Sequence, residues 1–343
     1  ARSLRCLPQF TPNLTRPTEA AQLHRVTPNL YTANRNLLLF RIVSFFMKRS
    51  IKIVLGVCFS IIFLYLSVRD TNTAVFFNSA DRIQYRFLPL GFGCLVTSLG
   101  FRAVRWKYIL QSRGTFAVGS LFQYNTLGWA LNFVLPAKGG EFIKGIVSSQ
   151  NENQPISFMT GSVVVARLLD ILVLFLFLLF GVAYLGISLP RFVTATGVGL
   201  ILVLVAGMSS MWIISRYLDQ IGNYFSVIVD YVGEMIQSLV EGFSTIQTPR
   251  QAAMVISLSI IPWSFDAVAY YGFMRAFDIT VPVVTAVFFL AVTGMGLALP
   301  SSAGNIGTFQ YFTILGLTTF GIARDVALGF SFFIHAMQYA AAI

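Results

Sequence analysis

The sequence has few of the residues that enzymes and disulfide-stapled domains depend on. It contains 3 cysteines without a CxxC pair and 2 histidines, His24 and His335, far apart in the chain. The sequence therefore has too few cysteines and histidines to favour a disulfide framework, a zinc cluster or a histidine-based triad. The GxSxG, GxxxxGK[ST] and GxGxxG motifs are also absent, which removes the usual hydrolase and nucleotide-binding signatures. We expect no metal, no cofactor and no enzymatic activity.

Charged residues are scarce as well. They make up 11% of the 343 residues, whereas 56% are hydrophobic, and the mean hydropathy is +0.74. This composition is typical of an all-α polytopic membrane protein. Apolar runs of roughly 20 residues can span a bilayer, and we count eight or nine, some of which could be re-entrant. They cover about 51–68, 87–101, 118–135, 158–186, 193–214, 251–274, 281–299, 308–322 and 325–343.

The two ends of the chain differ from the rest. Residues 1–46 carry six arginines, one acid (Glu19) and no apolar periodicity. They are interpreted as a disordered leader, either upstream sequence translated from a misplaced start or a targeting segment. The membrane domain is expected to cover 47–343. Its last apolar run is still in progress at Ile343, so we expect a C-terminal truncation.

Basic residues in the short connections predict the orientation. Lys48 and Arg49 precede the first span, and Arg102 and Arg105 belong to a basic cluster after the second. Both regions are therefore placed in the cytoplasm. Arg102 and Arg105 are expected to anchor the protein to anionic lipid, with participation in the binding site as the alternative. Alternation puts 139–157 outside. It also puts outside the amphipathic, acidic segment 216–250, which we expect to dock on the protein.

Charges inside the apolar runs are costly and therefore informative. Arg167 and Asp170 are three residues apart, which puts them on one helix face. They form either a neutral structural pair or part of a cavity in which Arg167 meets a phosphate. Asp266 is a lone acid within another run. We predict that it is a counter-ion for Lys138 or Arg167, with a proton-relay role as the alternative.

Two polar, glycine-containing breaks interrupt the apolar pattern, one at Asn132–Glu141 and one at Leu299–Gln310. Each contains Leu-Pro, a small residue, a glycine at the fourth position after the proline and then a polar residue. Broken backbone at membrane depth requires shielding by protein or a water-filled cavity. A matched pair of interrupted segments is also a pointer to a transporter binding site.

Four motifs in order resemble the transmembrane region of lysylphosphatidylglycerol synthase, a family of flippase-like membrane proteins. They are Arg102-Ala103-Val104-Arg105-Trp106, the first break with Lys144, the segment Val163–Asp170, and the second break. The resemblance covers about 47–343. It implies a bundle of about eight spans in two halves, and lipid translocation. No soluble synthase domain is present in this sequence, so synthase activity is not expected.

Two positions depart from the family pattern. Ala166 stands where the family commonly has an acid before the arginine, and Lys138 where arginine is frequent. Lysine lacks the bidentate fork of arginine. We therefore do not assign to this chain the lipid head group of the aminoacyl-lipid members of the family.

The resulting hypothesis is a protein that binds an anionic lipid, either a phospholipid or a polyprenyl-phosphate conjugate, and moves it between leaflets. Two alternatives remain: a membrane-embedded transferase acting on a lipid-linked substrate, and a non-transporting partner of a lipid-modifying enzyme. The expected partners are membrane lipids and such an enzyme or a glycosyltransferase, not nucleic acid. The expected location is the inner membrane of a prokaryote. The predicted substrate-binding residues are Asn132, Lys138, Gly140, Glu141, Arg167, Asp170, Asp266, Pro300, Gly304 and Asn305.

Overall fold

The computed structural model describes residues 50–69, 83–135, 138–186, 249–297 and 303–342. The predicted leader 1–46, the predicted span 193–214 and nearly all of the amphipathic segment 216–250 lie outside these residues. The chain divides into two units at Lys52/Ile53, and the fold below is that of the second unit.

The described residues form α-helices, short 3-10 turns and no strands, which confirms the all-α class. Pro89 lies in the first turn of the second helix, where its missing N–H has no intrahelical role. The fifth helix ends at Gly186, whose φ of 64° provides a left-handed cap. The helices are α1 (Ser50–Val68), α2 (Leu88–Leu110), α3 (Val118–Val134), α4 (Gly139–Asn151), α5 (Ile156–Leu185), α6 (Pro249–Ala276), α7 (Val283–Gly296), α8 (Thr308–Thr318) and α9 (Arg324–Ala342).

Two helices differ from the sequence prediction. The second apolar run was expected to end near residue 101, but α2 continues to Leu110. The segment 139–157 was treated as a connection, but most of it forms α4. In both cases the polar residues that suggested a helix end are buried and paired inside the protein, so they do not interrupt the helix.

Three described stretches are long and apolar enough to cross a membrane, by length and composition: Tyr85–Arg113, Ile156–Leu185 and Arg250–Ala276. α7 is a shorter apolar helix. Large apolar side chains point outward, for example Ile61, Phe180 and Tyr184. Such a surface is expected for helices that face lipid.

The main core lies where α2 and α6 pack along each other, with α7 against α6, α9 against both and α8 against α7 and α9. Phe273, Phe289 and Phe330 are among its fully buried side chains. α5 packs along α7, and α4 lies against α3 and α5. This arrangement brings the polar faces of α2, α4, α5 and α6 together.

Candidate functional site

A cavity of about 200 Å³ lies between the helices and is bordered by both breaks. The first break contributes Asn132 and Lys138, and the second contributes Asn305. Apolar and aromatic side chains supply much of the remaining wall, including Trp129, Trp263 and Tyr270. Of the predicted substrate-binding residues, the cavity wall contains Asn132, Lys138, Arg167, Asp170, Asp266 and Asn305.

The first break is held by close packing of α3 and α4. Gly140 N–H donates to Asn132 Oδ1 at 3.0 Å, so the Asn132 side chain caps a free backbone donor of α4. A methyl group at Gly140 would overlap the carbonyl oxygen of Gly128 and lie 2.8 Å from the Asn132 backbone nitrogen. Gly140 therefore shapes the wall by allowing this approach rather than by touching the cavity.

The second break packs directly against the first. Gly304 has a φ of 68°, and a Cβ there would lie 3.3 Å from the Phe133 carbonyl oxygen. The Tyr339 hydroxyl donates to the Gly304 carbonyl at 3.2 Å, and the Tyr339 ring meets Phe133 edge-on at 3.8 Å between centroids. Pro300 lies outside the described residues.

Asp170 is the centre of the buried charges. Its Oδ1 accepts from Arg105 Nη1 at 2.6 Å and from Trp263 Nε1 at 2.9 Å. Arg167 Nη1 lies 3.4 Å from the other oxygen, which confirms that the residues three apart share a helix face. Asp170 is only 4% exposed, so this pairing offsets the cost of burying its charge.

Arg102 and Arg105 were expected to anchor a cytoplasmic loop, and that prediction is wrong. They lie within α2 and are 7% and 3% exposed. Arg102 Nη2 donates to Asp266 Oδ2 at 2.6 Å, so the counter-ion of Asp266 is Arg102 and neither Lys138 nor Arg167. The partnership joins α2 to α6, and the separation of these residues along the chain gives no local signal for it.

Glu141 lies between two cations of different helices. Lys144 Nζ is 2.9 Å from its Oε2, and Arg167 Nη2 pairs with its Oε1. Lys144 also donates to Asn125 Oδ1 at 3.1 Å. Arg167 differs from the other arginines of the group because its side chain is 35% exposed.

Lys138 has no ion pair or hydrogen bond with the described residues. It lies between α3 and α4, outside the three membrane-spanning candidates, with a φ of 55° that places it in the left-handed region. Burial and, second, the charge of Arg167 lower the pKa of Lys138 to about 8. The cavity wall thus contains a cation that no described side chain neutralises by direct contact.

The predicted substrate-binding residues did not include Arg102, Arg105, Lys144 or the tryptophans. One signal was available: Arg102 and Arg105 have the same three-residue spacing as Arg167 and Asp170, and the apolar residues Trp106, Ile109 and Leu110 follow them. A helix that continues past its arginines implies that they are buried. We define the charge cluster as Arg102, Arg105, Lys138, Glu141, Lys144, Arg167, Asp170 and Asp266.

The fold and the charge cluster define a helical integral membrane protein with a polar interior cavity. Residues 53–343 match the family model of the lysylphosphatidylglycerol synthase TM region, and the chain belongs to this family. It is 20% identical over 254 residues to a UPF0104 membrane protein of Methanocaldococcus jannaschii, covering 69% of this chain and 76% of that protein. No solved structure matches the chain.

Proposed function

We propose that this protein binds the phosphate of an anionic lipid in the cavity and moves the head group between leaflets. The observation that carries the proposal is Lys138, a cation at the point where both breaks meet the cavity, which has no ion pair with any described residue. Buried cations in membrane proteins are normally paired. An unpaired one facing a cavity indicates a place for an external anion.

Arg167 supports the same assignment. Its guanidinium is more exposed than those of Arg102 and Arg105, and it lines the cavity with Lys138. The Arg167 guanidinium pairs with one oxygen of the Glu141 carboxylate and one oxygen of the Asp170 carboxylate. A phosphate entering between Lys138 and Arg167 would gain charge-assisted hydrogen bonds in a region of low dielectric.

The N-terminus of α4 adds to the positive electrostatic potential of the cavity. α4 begins at Gly139, directly after Lys138, and the N-terminus of a helix favours negative charge. The aromatic and aliphatic part of the wall suits the glycerol or acyl region next to a phosphate. Transport would be passive or coupled to an ion gradient, since the sequence has no ATP-binding motif.

A transferase would need a general base within reach of its substrate. Glu141, Asp170 and Asp266 are the carboxylates of the charge cluster, and each is held by arginine or lysine. Pairing of this kind engages most of the oxygens that would accept a proton, and the remaining one, Asp266 Oδ1, is buried. The geometry therefore favours binding over covalent chemistry.

The test is a leaflet-resolved assay in proteoliposomes with fluorescent phosphatidylglycerol, followed by mass analysis of the extracted lipids. We expect the labelled lipid to change leaflets at a rate that depends on the protein, with no change in lipid mass. A covalently modified lipid would support the transferase instead. Absence of movement, together with loss of a lipid-modifying enzyme from pull-downs of Lys138→Ala, would support the partner role.

A further inference from the structure

We infer that the cavity selects lipids whose head group carries phosphate and no amine, and that it disfavours aminoacylated lipids. This inference rests on the proposed function, since it concerns the substrate of the same site. It is carried by the occupancy of the cavity's carboxylates, by the position of Arg102 against the aromatic wall and by the net charge of the described cluster.

Each carboxylate of the charge cluster already pairs with a cation of the protein. Asp170 is shared by three arginines and Trp263, and Glu141 by Arg167 and Lys144. Asp266 pairs with Arg102 through Oδ2, whereas its Oδ1 is buried and has no hydrogen-bond partner among the described residues. An ammonium group in the cavity would have to displace a cation from Asp170 or Glu141, or reach the buried Oδ1 of Asp266 next to the Arg102 guanidinium.

The aromatic wall offers no alternative. Tryptophan rings bind ammonium groups through their faces, and Trp129 and Trp263 both line the cavity. The Arg102 guanidinium carbon lies 4.4 Å from the Trp263 ring centroid and 6.0 Å from that of Trp129. Arg102 therefore already lies over one face of the Trp263 ring and, at a longer distance, near that of Trp129, so a ligand cation near these faces would meet a like charge.

The described cluster has an excess of positive charge. It contains five cations (Arg102, Arg105, Lys138, Lys144 and Arg167) and three carboxylates (Glu141, Asp170 and Asp266), which leaves two positive charges in excess. A phosphate monoanion lowers this excess, whereas a lysyl ester with its two ammonium groups raises it. Juxtaposed like charges disfavour a ligand strongly in a buried site.

Native mass spectrometry of the purified protein can measure this preference. Phosphatidylglycerol, phosphatidylethanolamine, lysyl-phosphatidylglycerol and a polyprenyl phosphate are added at equal concentrations. The three glycerolipids carry identical acyl chains. We expect phosphatidylglycerol or polyprenyl phosphate to bind at least about tenfold more than the lysyl lipid, which corresponds to about 1.4 kcal/mol. The more strongly bound of phosphatidylglycerol and polyprenyl phosphate is then the class of lipid whose phosphate the cavity prefers.

Two variants separate the cavity from lipid that adheres to the outer surface. Lys138→Glu supplies a carboxylate and is expected to lower binding of phosphatidylglycerol and raise that of the lysyl lipid, while Lys138→Gln lowers the first without raising the second. Lys107→Gln removes an exposed cation of α2 and should change neither. Monodispersity in size-exclusion chromatography checks that each variant is folded.

The outcomes distinguish this inference from the proposed function. If the lysyl lipid binds as well as phosphatidylglycerol and both depend on Lys138, the site binds lipid phosphate but the selectivity is wrong. If no lipid binds in a Lys138-dependent way, the proposed function fails and the inference fails with it.

Discussion

Among single residues, Asp170 pairs with three arginines from two helices, α2 and its own helix α5. Its carboxylate lies 2.6 Å from Arg105 and 3.5 Å from Arg102 of α2, and it also pairs with Arg167 of its own helix. Removing one partner of a buried ion pair leaves the other charge without compensation. The cost of such a change is much larger than that of losing one surface contact.

We therefore expect Asp170→Asn to lower the free energy of unfolding by about 3–5 kcal/mol. Denaturant-induced unfolding in detergent measures the change. Asp278→Asn is the matched control, because Asp278 is exposed, and a surface change of this kind stays within about 0.5 kcal/mol. Equal stability of the two variants would show that the charge cluster does not stabilise the fold.

The protonation of Lys138 predicts how lipid binding depends on pH. Its pKa of about 8 means that the ammonium is present below this pH and is lost as the pH rises through it. A phosphodiester keeps its charge over the same range, so binding of a short-chain phosphatidylglycerol should weaken between pH 7 and pH 9. Trp129 and Trp263 line the cavity, and their fluorescence reports the binding.

Lys138→Arg is the control for this titration, because a guanidinium stays charged throughout the range. It should bind the lipid with an affinity that varies little between pH 7 and pH 9. An unchanged pH dependence in Lys138→Arg would assign the titration to another group.

The residue scale also shows how far a sequence predicts such a site. The pairing of Arg167 with Asp170 was predictable, since a spacing of three on a helix determines which side chains meet. The pairing of Asp266 with Arg102 was not, because it depends on how α6 packs against α2. No local pattern in the sequence contains that information.

At the scale of the elements, α3 and α4 approach each other at two glycines. Gly140→Ala would place a methyl group against the Gly128 carbonyl and the Asn132 backbone, so the helices would have to separate. We expect a loss of about 1–3 kcal/mol in unfolding free energy and a weaker lipid affinity. The stability falls because the helices separate, and the affinity falls because Lys138 and Asn132 lie at this contact.

Gly119→Ala is the comparison within α3, since a methyl group there meets nothing within 4 Å. In a helix, alanine is favoured over glycine by about 1 kcal/mol, so this variant should be as stable as the wild type or more so. The importance of the α3–α4 contact would be contradicted if Gly140→Ala behaved in the same way. Thermal unfolding in detergent compares the two.

The helices also show why the sequence prediction failed at particular boundaries. α2 was expected to end before Arg102, since charges normally mark the edge of the membrane. The helix continues because Asp170 and Asp266 neutralise its arginines inside the bundle. α4 was missed for the same reason, as Glu141 and Lys144 are polar in sequence but buried in the fold.

At the scale of the whole molecule, the two breaks contribute to one cavity. Their similar sequences predicted a shared site, and Lys138 and Asn305 both line the same wall. Each of these residues has a φ of 55°, which L-amino acids adopt at a cost. The fold thus maintains strained backbone at the two places where the breaks face the cavity.

The role of Lys138 in transport is tested by the rate at which fluorescent phosphatidylglycerol changes leaflet in proteoliposomes. Wild-type, Lys138→Gln and Lys107→Gln protein are compared. Loss of one charge-assisted contact costs about 1.5 kcal/mol or more, so we predict that Lys138→Gln is slower by about tenfold or more. Lys107→Gln should match the wild type. Equal rates for all three proteins would contradict the claim that Lys138 binds the lipid phosphate during transport.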